Sequence, residues 1–390
     1  MRVLHLGKYY PPHRGGIETH LHALAHGLSA EGVETTALVV NHAAGGGDVV
    51  WRAGARTRSV SERDGPVRVE RVGRVANVAR LDVCPRLPLL LRRLAREADL
   101  LHLHVPNPAM GFALASLPQA PPLVITHHSD VLRQRVLRHA LRPLDEVLYR
   151  RAARVLATSP RYVEGSALLQ RFRAKTEVLP FGIDLAPFQA QSATLAREVE
   201  LLEARFRAPR WLMVGRLVYY KGHALALEAF RELPGTLLIV GQGPAEAELR
   251  QRAEALGISA RVAFLGSVRD EVLRAAYRVS AALLFPGNAR SEAFGLAQVE
   301  AMASGCPVIN TEIPGSGVPW VCPHDEAGLT VPLGDARALA GAARRLLREP
   351  KLAQRLGAGG RARAAERFSQ GVMARACAEL YERVLAGARS

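Results

Sequence analysis

The chain has 390 residues, 48% of them hydrophobic, and its 52 basic and 36 acidic side chains give a net charge of +16. This length exceeds what one hydrophobic core usually organises, so two domains are expected. No run of apolar residues is long enough for a membrane-spanning helix. The four scattered cysteines suggest neither a disulfide framework nor a zinc site, and the missing signal-peptide pattern predicts a cytoplasmic protein.

Short β-branched or leucine-rich segments alternate with helical patterns through the first half of the chain. The segments predicted as strands are Arg2–Leu6, Glu34–Asn41, Val67–Val72, Asp99–Val105, Leu123–His127, Arg154–Ser159 and Thr176–Pro180. This alternation is typical of a mostly parallel sheet covered by helices on both faces.

The pattern restarts after a polar stretch at residues 187–208. The later predicted strands are Trp211–Gly215, Thr236–Val240, Arg261–Leu265, Ala281–Phe285, Pro307–Asn310 and Leu329–Val331. The predicted fold class is therefore α/β, with two doubly wound Rossmann-like domains that bind ligands in the cleft between them. We expect a first domain at 1–190, a second at 191–370, and a final helix at 371–390 that packs back towards the first.

The most specific pattern lies in segment 291–309, where Glu292 and Glu300 stand eight residues apart and Gly295 opens a helix. Free N–H groups at a helix start bind anions, so residues 295–297 are expected to hold a diphosphate. Glu300 would be a carboxylate on an apolar helical face, where ribose hydroxyls could supply its partners. Taken singly, each glutamate could equally be an ordinary helix acid.

Three further segments carry polar or glycine residues after predicted strands. Residues 214–222 contain Lys221 in a chain that otherwise prefers arginine, and lysine acts as a compact point charge for phosphate. Gly15-Gly16 allows backbone N–H groups to approach a ligand closely. His127 and His128 end another strand, but the sequence shows no further ligands that would make them a metal site.

These segments resemble the motifs of retaining glycosyltransferases of family 4, which have the two-domain GT-B fold, and the resemblance spans nearly the whole chain. The match includes the E-x7-E motif with its inner Phe-Gly-Leu and the Gly-Arg-Leu-x-x-x-Lys-Gly segment. The resemblance implies that Glu292 contacts the transferred sugar and Glu300 the ribose, while Arg216 and Lys221 hold the donor's phosphates. It also favours His128 over His127 as the catalytic histidine.

The remaining donor-binding residues implied by the resemblance are Gly15, Gly16, Gly215, Ser267, Val268, Phe294, Gly295, Leu296 and Ala297. The implied reaction needs no metal and no other cofactor, since basic side chains would stabilise the leaving diphosphate. The nearest resemblance is to mannosyl- and rhamnosyl-type members of bacterial polysaccharide biosynthesis, which favours GDP-mannose as the donor and a lipid-linked or other saccharide as the acceptor.

Other functions stay open at this point. A transferase that uses UDP-glucose or UDP-N-acetylglucosamine with a small soluble acceptor is one alternative, and a non-catalytic nucleotide-sugar-binding protein is another. A nucleotide-sugar epimerase should lack the E-x7-E arrangement. The sequence has no G-x-G-x-x-G fingerprint after its first strand and no nucleic-acid-binding motif, which argues against a dinucleotide oxidoreductase and a nucleic acid partner.

The positive charge is concentrated in residues 1–190, which hold 26 basic and 16 acidic side chains. Leucines and arginines interleave at 85–96 and 131–148, a pattern typical of helices that bind an anionic membrane surface. We therefore predict peripheral contact with the inner membrane face. The alternative is that these leucines face the core and the arginines are solvated.

Overall fold

The structure is a computed structural model that describes residues 1–13, 15–42, 57–78, 81–130 and 135–389. It divides into two compact units. The first consists of Met1–Ile183 with Gln370–Ser390, and the second of Asp184–Ser369. Each unit has its own parallel sheet, so the predicted α/β class is confirmed.

Among the described residues, the first unit is built on an eight-stranded sheet with the order β10-β9-β8-β7-β1-β2-β4-β3. Its strands and the separate β5–β6 hairpin are β1 (Arg2–Leu6), β2 (Glu34–Val40), β3 (Val60–Asp64), β4 (Val67–Val72), β5 (Ala76–Val78), β6 (Leu81–Val83), β7 (Leu100–Val105), β8 (Leu123–His127), β9 (Arg154–Ala157) and β10 (Thr176–Val178). Only the β3–β4 pair of this sheet is antiparallel. All the strands predicted in this half are present, while β3, β5 and β6 were not predicted.

Short helices follow most strands of the first unit. They are α1 (Gly16–Ala30), α2 (Leu87–Glu97), α3 (Pro108–Ala115), α4 (Arg135–Arg151), α5 (Pro160–Gly165) and α6 (Ala167–Arg171). The N-caps of α3, α5 and α6 are Asn107, Ser159 and Ser166, whose side chains accept hydrogen bonds from the first turn.

The second unit has a six-stranded parallel sheet with the order β13-β12-β11-β14-β15-β16. Its elements are α7 (Ala186–Gln189), α8 (Ala193–Arg205), β11 (Arg210–Val214), α9 (His223–Phe230), β12 (Thr236–Val240), α10 (Glu246–Ala255), β13 (Val262–Gly266), α11 (Asp270–Val279), β14 (Ala282–Phe285), α12 (Leu296–Ser304), β15 (Val308–Thr311), α13 (Val318–Val321), β16 (Gly328–Val331), α14 (Ala336–Arg348) and α15 (Pro350–Arg367). The strands agree with prediction to within one or two residues. The polar stretch at 187–208 contains the helix α8, which belongs to this unit.

The chain ends with α16 (Gln370–Arg389), which belongs to the first unit and packs on α1. A Cβ atom at Gly27 of α1 would lie 2.8 Å from the Cβ of Ala374, so the two helices approach more closely than a larger residue would allow. Met373, Cys377 and Tyr381 on α16 are buried in the core beneath α1. The last helix therefore completes the core of the first unit.

In the described part of the chain, no helix combines the length and the hydropathy needed to cross a bilayer. The leucine-rich helix α2 buries Leu87, Leu91 and Leu94, while Leu89 is 74% exposed. Residues 131–134 of the second leucine–arginine segment lie outside the described residues, and its later leucines, Leu141, Leu144 and Leu148, are buried. Most of these leucines thus face the core, and membrane contact stays a prediction.

Candidate active site

The segment that follows β11 is shaped by glycines at both ends. Gly215 has φ +139°, and a Cβ atom there would lie 3.3 Å from Cε of Lys221. Gly222 has φ +73°, and a Cβ atom there would lie 1.8 Å from the carbonyl oxygen of Pro286. Both positions favour glycine, because positive φ angles strain other residues, and at Gly222 a Cβ atom would also collide with the backbone of Pro286. The segment that carries Lys221 is therefore packed against the end of β14.

The loop after β14 is hydrogen-bonded to the same segment. The backbone N–H and the side-chain amide of Asn288 donate to the carbonyl oxygens of Tyr220 and Tyr219, each at 2.9 Å. The hydroxyl of Thr311 donates to the carbonyl of Gly287 at 2.5 Å, which links the loop to β15. These contacts join the loops after β11 and β14 to the last residue of β15, at the carboxyl end of the second sheet, where ligands bind in parallel sheets.

Lys221 and Glu292 form a buried ion pair at the centre of these loops. The Nζ atom of Lys221 lies 2.6 Å from Oε2 of Glu292, and the two side chains are 17% and 6% exposed. Burial alone would lower the pKa of Lys221, but the charge and hydrogen bond of Glu292 outweigh it and raise that pKa above its usual value. Ser316 donates its hydroxyl to the carbonyl of Glu292 at 2.5 Å. Lys221 therefore carries its positive charge inside the protein.

The glycine predicted to admit a phosphate stands directly before α12. Gly295 has φ +82°, and a Cβ atom there would lie 2.7 Å from the ring of Phe285, so the backbone at this point tolerates no side chain. No side chain caps the start of α12 in the described structure. Leu296 and Ala297 form its first turn and are partly exposed, while Phe294 is buried. The N-terminus of this helix can thus bind an anion through its backbone N–H groups.

Glu300 lies one turn further along α12 and is partly buried. The hydroxyl of Tyr277, on α11, donates a hydrogen bond to its Oε2 atom at 2.7 Å. Burial raises the pKa of Glu300 to about 7, although the Tyr277 hydrogen bond and the charge of Lys221 act in the opposite direction. Nothing in the sequence identified Tyr277, because no motif connects it with α12. The only available signal was that a buried tyrosine hydroxyl requires a partner.

The other donor residues predicted in the second unit lie at its surface. Arg216 and Ser267 are exposed, and Val268 lines a cavity of about 560 Å³ between α8 and α11. The cavity walls include Leu202, Leu265 and Val272. This volume is within the range of sites that bind small molecules.

In the first unit, Gly15 precedes α1 in an extended conformation. A Cβ atom at Gly15 would lie 2.2 Å from Oε2 of Glu18, whose burial raises its pKa. In the described structure, no heavy atom beyond its chain neighbours and the nearby helix backbone lies within 4 Å of a Cβ atom placed at Gly16. A side chain at position 15 would therefore have to displace the carboxylate end of Glu18.

The two neighbouring histidines after β8 have different surroundings. His127 pairs through Nδ1 with the Tyr149 hydroxyl at 2.6 Å, and its Nε2 lies 3.3 Å from Oδ1 of Asp130. His128 pairs through Nε2 with Nδ1 of His104 at 3.0 Å, and the other nitrogen of His104 pairs with Nδ1 of His5 at 3.1 Å. His128 is therefore the end of a chain of three imidazoles.

Besides His127, five histidines are buried in the described part of the first unit, namely His5, His20, His102, His104 and His128. The parallel register of β1 and β7 places His5 opposite His102. His102 pairs with the hydroxyls of Tyr381 and Thr126 at 2.5 and 2.6 Å. Burial lowers the pKa of His5 and of His20 to about 3, and the pKa values of the other three fall well below 6.5. All five rings are therefore neutral at pH 7.

Several groups of side chains in the described residues bring possible metal ligands within 4.8 Å of one another. Two groups are buried, His5 with His102 and His104, and His20 with His104 and His128. The third is partly exposed and consists of His22, His26 and Asp64. The sequence offered no partners for His128, because its neighbours come from distant strands and from α1.

Both halves of the chain match family models of glycosyltransferases. The family model described as "Glycosyl transferase 4-like domain" matches residues 15–182, and the model described as "Glycosyl transferases group 1" matches residues 204–363. A D-rhamnosyltransferase of Pseudomonas aeruginosa is 34% identical over 378 residues, which cover 95% of this chain and 92% of that protein. The chain belongs to this family of glycosyltransferases.

A second relative supports the family assignment, and a solved structure shows the fold. An O-antigen chain mannosyltransferase of Escherichia coli is 31% identical over 392 residues, which cover 99% of each chain. Sucrose-phosphate synthase from Thermosynechococcus elongatus has a similar structure, with a TM-score of 0.79, 24% identity and 99% of each chain covered. The predicted GT-B fold and the predicted glycosyltransferase activity are therefore confirmed, while the roles of the individual site residues stay predictions.

The buried histidines of this glycosyltransferase predict an acid-sensitive first unit. In the unfolded chain each imidazole takes up a proton near pH 6.5, whereas the folded rings stay neutral to much lower pH. The unfolded state therefore binds more protons below pH 6.5, and the free energy of unfolding should fall as the pH falls from about 6.5 towards 4. The ring centroids of His20 and Phe181 lie 4.2 Å apart, so a phenylalanine at position 20 would keep an aromatic contact. Replacing His20 by Phe should reduce the slope of the unfolding free energy against pH by about one proton.

Urea unfolding at several pH values measures that slope. The matched control is His324→Gln, because His324 is an exposed histidine of the second unit and is not part of the buried histidine cluster. Equal slopes for wild type and His20→Phe would contradict the neutral buried state of His20.

Proposed function

We propose that this glycosyltransferase is a metal-independent, retaining enzyme that transfers a hexose from a nucleotide diphosphate sugar to a lipid-linked or other saccharide acceptor. GDP-mannose is the favoured donor. The observation that carries the proposal is the buried contact between Lys221 and Glu292. The two residues come from different motifs and were assigned to different parts of the donor.

The contact fits the chemistry of a sugar diphosphate. In such a donor the anomeric carbon is bonded directly to a phosphate oxygen, so residues that bind the sugar and residues that bind the phosphate must be neighbours. Lys221 and Glu292 meet at 2.6 Å. On donor binding, a phosphate oxygen would replace the carboxylate as the partner of Lys221, and Glu292 would accept hydrogen bonds from sugar hydroxyls.

The proposed mechanism depends on charge that is in position before the reaction. As the bond between the sugar and the diphosphate breaks, negative charge grows on the leaving phosphate and positive charge on the sugar. Lys221, Arg216 and the N–H groups at the start of α12 would stabilise the leaving phosphate. The acceptor would attack from the same face, with a phosphate oxygen taking its proton, so that the anomeric configuration is retained.

Glu300 is proposed to bind the ribose of the donor. Tyr277 occupies one carboxylate oxygen from α11 and so fixes the orientation of the side chain. A pair of ribose hydroxyls would donate hydrogen bonds to the carboxylate and offset part of the free-energy cost of burying its charge. Val268 and the 560 Å³ cavity that it lines are a candidate location for the base.

The choice of sugar rests on the named relatives. One similar protein is a mannosyltransferase that acts on the O-antigen chain and another is a D-rhamnosyltransferase. Mannose as the transferred sugar and a growing saccharide as the acceptor are therefore the first combination to test.

The first experiment combines the full-length chain with candidate donors and a mannosylated saccharide acceptor. We expect transfer from GDP-mannose, an α-linked product from the α-linked donor by NMR, and an unchanged rate after EDTA. An inverted product would contradict retention, and a loss of rate that manganese restores would contradict the metal-free mechanism. Nucleotide-sugar binding with neither transfer nor hydrolysis would favour a binding protein.

Lys221→Ala and Arg216→Ala test the phosphate assignment. Each removes one preorganised positive charge, so each should lower kcat by about a hundredfold, equivalent to about 3 kcal/mol of transition-state stabilisation. Lys351→Ala is the matched control, because Lys351 is an exposed lysine on α15. Unchanged kcat in both site variants would refute the assignment. The fold of the Lys221 variant should be checked by circular dichroism, because the substitution leaves Glu292 without its buried partner.

Glu300 predicts a specific pH dependence of nucleotide binding. Its pKa of about 7 means that a fraction of the carboxylates is protonated at neutral pH. Ribose hydroxyls bind the ionised form better, so the affinity for free nucleotide should rise between pH 6 and 8 and then level off. Glu300→Gln should weaken donor and free nucleotide alike and abolish this pH dependence. Titration calorimetry at pH 6, 7 and 8 measures both effects, and equal affinities in wild type and variant would contradict the ribose role.

A further inference from the structure

The first unit contains a group of three metal-ligand side chains that the proposed reaction does not use. His22 and His26 stand one turn apart on the same face of α1, so their rings are neighbours with centroids 4.3 Å apart. Their Nε2 atoms lie 3.1 and 3.0 Å from one atom, Oδ2 of Asp64. Three ligand atoms from two separate elements thus converge on one point.

The carboxylate of this group is held in position by its surroundings. Asp64 is the last residue of β3, and the turn that follows begins at Gly65, which has φ +55°. A Cβ atom at Gly65 would lie 3.4 Å from Cε1 of His26, so the turn rests against that ring. The hydroxyl of the buried Tyr10 donates to Oδ2 of Asp64 at 2.9 Å. Such an outer contact orients a ligating carboxylate and tunes its affinity for metal.

We propose that His22, His26 and Asp64 bind a divalent transition-metal ion of the zinc type, with solvent as the remaining ligand. Two imidazoles and a carboxylate are the ligand set that zinc accepts in open four-coordinate sites, with bonds of about 2.0–2.2 Å. In a tetrahedral zinc site, these bond lengths put ligand atoms about 3.3–3.5 Å apart. The observed nitrogen–oxygen separations of 3.0 and 3.1 Å are a few tenths of an ångström shorter than this, and all three ligand atoms lie within 4.8 Å of one another.

The chemistry of the unloaded group also suits metal exchange. Each neutral imidazole can donate its Nε2 proton to Asp64, and moving that proton to Nδ1 leaves a lone pair at Nε2 for the metal. No net charge on the histidines has to change for this. The same atoms that hold the group together without metal are therefore the ligands when metal is bound.

Accessibility distinguishes this group from the buried histidines. The side chains of His22, His26 and Asp64 are 40%, 23% and 40% exposed, so an ion can enter from solvent and keep a water ligand. The rings of His20, His104 and His128 are almost completely buried, and a metal there would have to cross packed side chains. The site on α1 is thus the one that free zinc should fill first.

Metal binding would link α1 to the β3–β4 hairpin, whose strand β3 is otherwise largely exposed at the edge of the sheet. An ion that binds only the folded state stabilises it. The proposal concerns stability of the first unit, and it does not alter the metal-free transfer proposed above, whose proposed phosphate, sugar and ribose ligands Lys221, Glu292 and Glu300 lie in the second unit.

The test is zinc titration of the full-length chain after treatment with chelator, followed by calorimetry and thermal unfolding. We expect one high-affinity zinc ion and a rise in Tm. His22→Ala, His26→Ala and Asp64→Ala should each weaken zinc binding by at least about tenfold, and Tyr10→Phe by about tenfold through its outer contact. With Cu²⁺ as a probe, electron paramagnetic resonance should report two coordinated imidazole nitrogens.

His324→Ala is the matched control, because His324 is an exposed histidine next to Asp325 in the second unit and should leave zinc affinity unchanged. Zinc affinity that is equal in wild type and in His22→Ala/His26→Ala would overturn the proposal. If instead His20→Phe abolishes zinc binding while the α1 variants retain it, the ion is at the buried histidines and the proposal is equally wrong. Circular dichroism confirms that each variant is folded.

Discussion

The ion pair between Lys221 and Glu292 is the interaction on which the candidate site depends. Removing two charges from water is costly, and the cost is acceptable only where geometry and neighbouring hydrogen bonds are good. Three contacts hold the two partners in position. Gly222 packs closely against Pro286, and the Asn288 side chain donates to the carbonyl of Tyr219. The Ser316 hydroxyl donates to the carbonyl of Glu292. The backbone of the second unit is thus arranged around a lysine that stays charged without a ligand.

The candidate donor site and the histidine cluster stabilise buried polar groups in opposite ways. The donor site uses charged groups, with Lys221 paired to Glu292 and Glu300 hydrogen-bonded by Tyr277. The histidine cluster uses neutral imidazoles, because burial lowers their pKa values well below 6.5. Charged groups are suited to a site that is proposed to bind a diphosphate. Neutral rings allow polar side chains to be buried within a sheet without an unpaired charge.

The sequence predicted the sheets well because their strands are buried and therefore hydrophobic. The missed strand β3 is exposed along most of its length, and β5 and β6 have only three residues each, so none has a clear pattern. Glu292 and Lys221 were found through their motifs, but their mutual contact was not, since it depends on how two loops pack. The histidine cluster was missed for the same reason. The spacing of His102 and His104 shows that they share a face of β7, but only the strand order brings His5 and His128 to them.

The chain from His5 through His104 to His128 has a consequence for where its protons can be. A neutral imidazole has one N–H donor and one lone pair, and each of the two nitrogen–nitrogen contacts needs one donor and one acceptor. His104 makes both contacts, so the three rings must all carry their proton on Nδ1 or all carry it on Nε2. The chain is therefore a two-state element. A hydrogen bond formed at the outer nitrogen of His128 selects the tautomer of His5 two rings away, with no change in the net charge of the core.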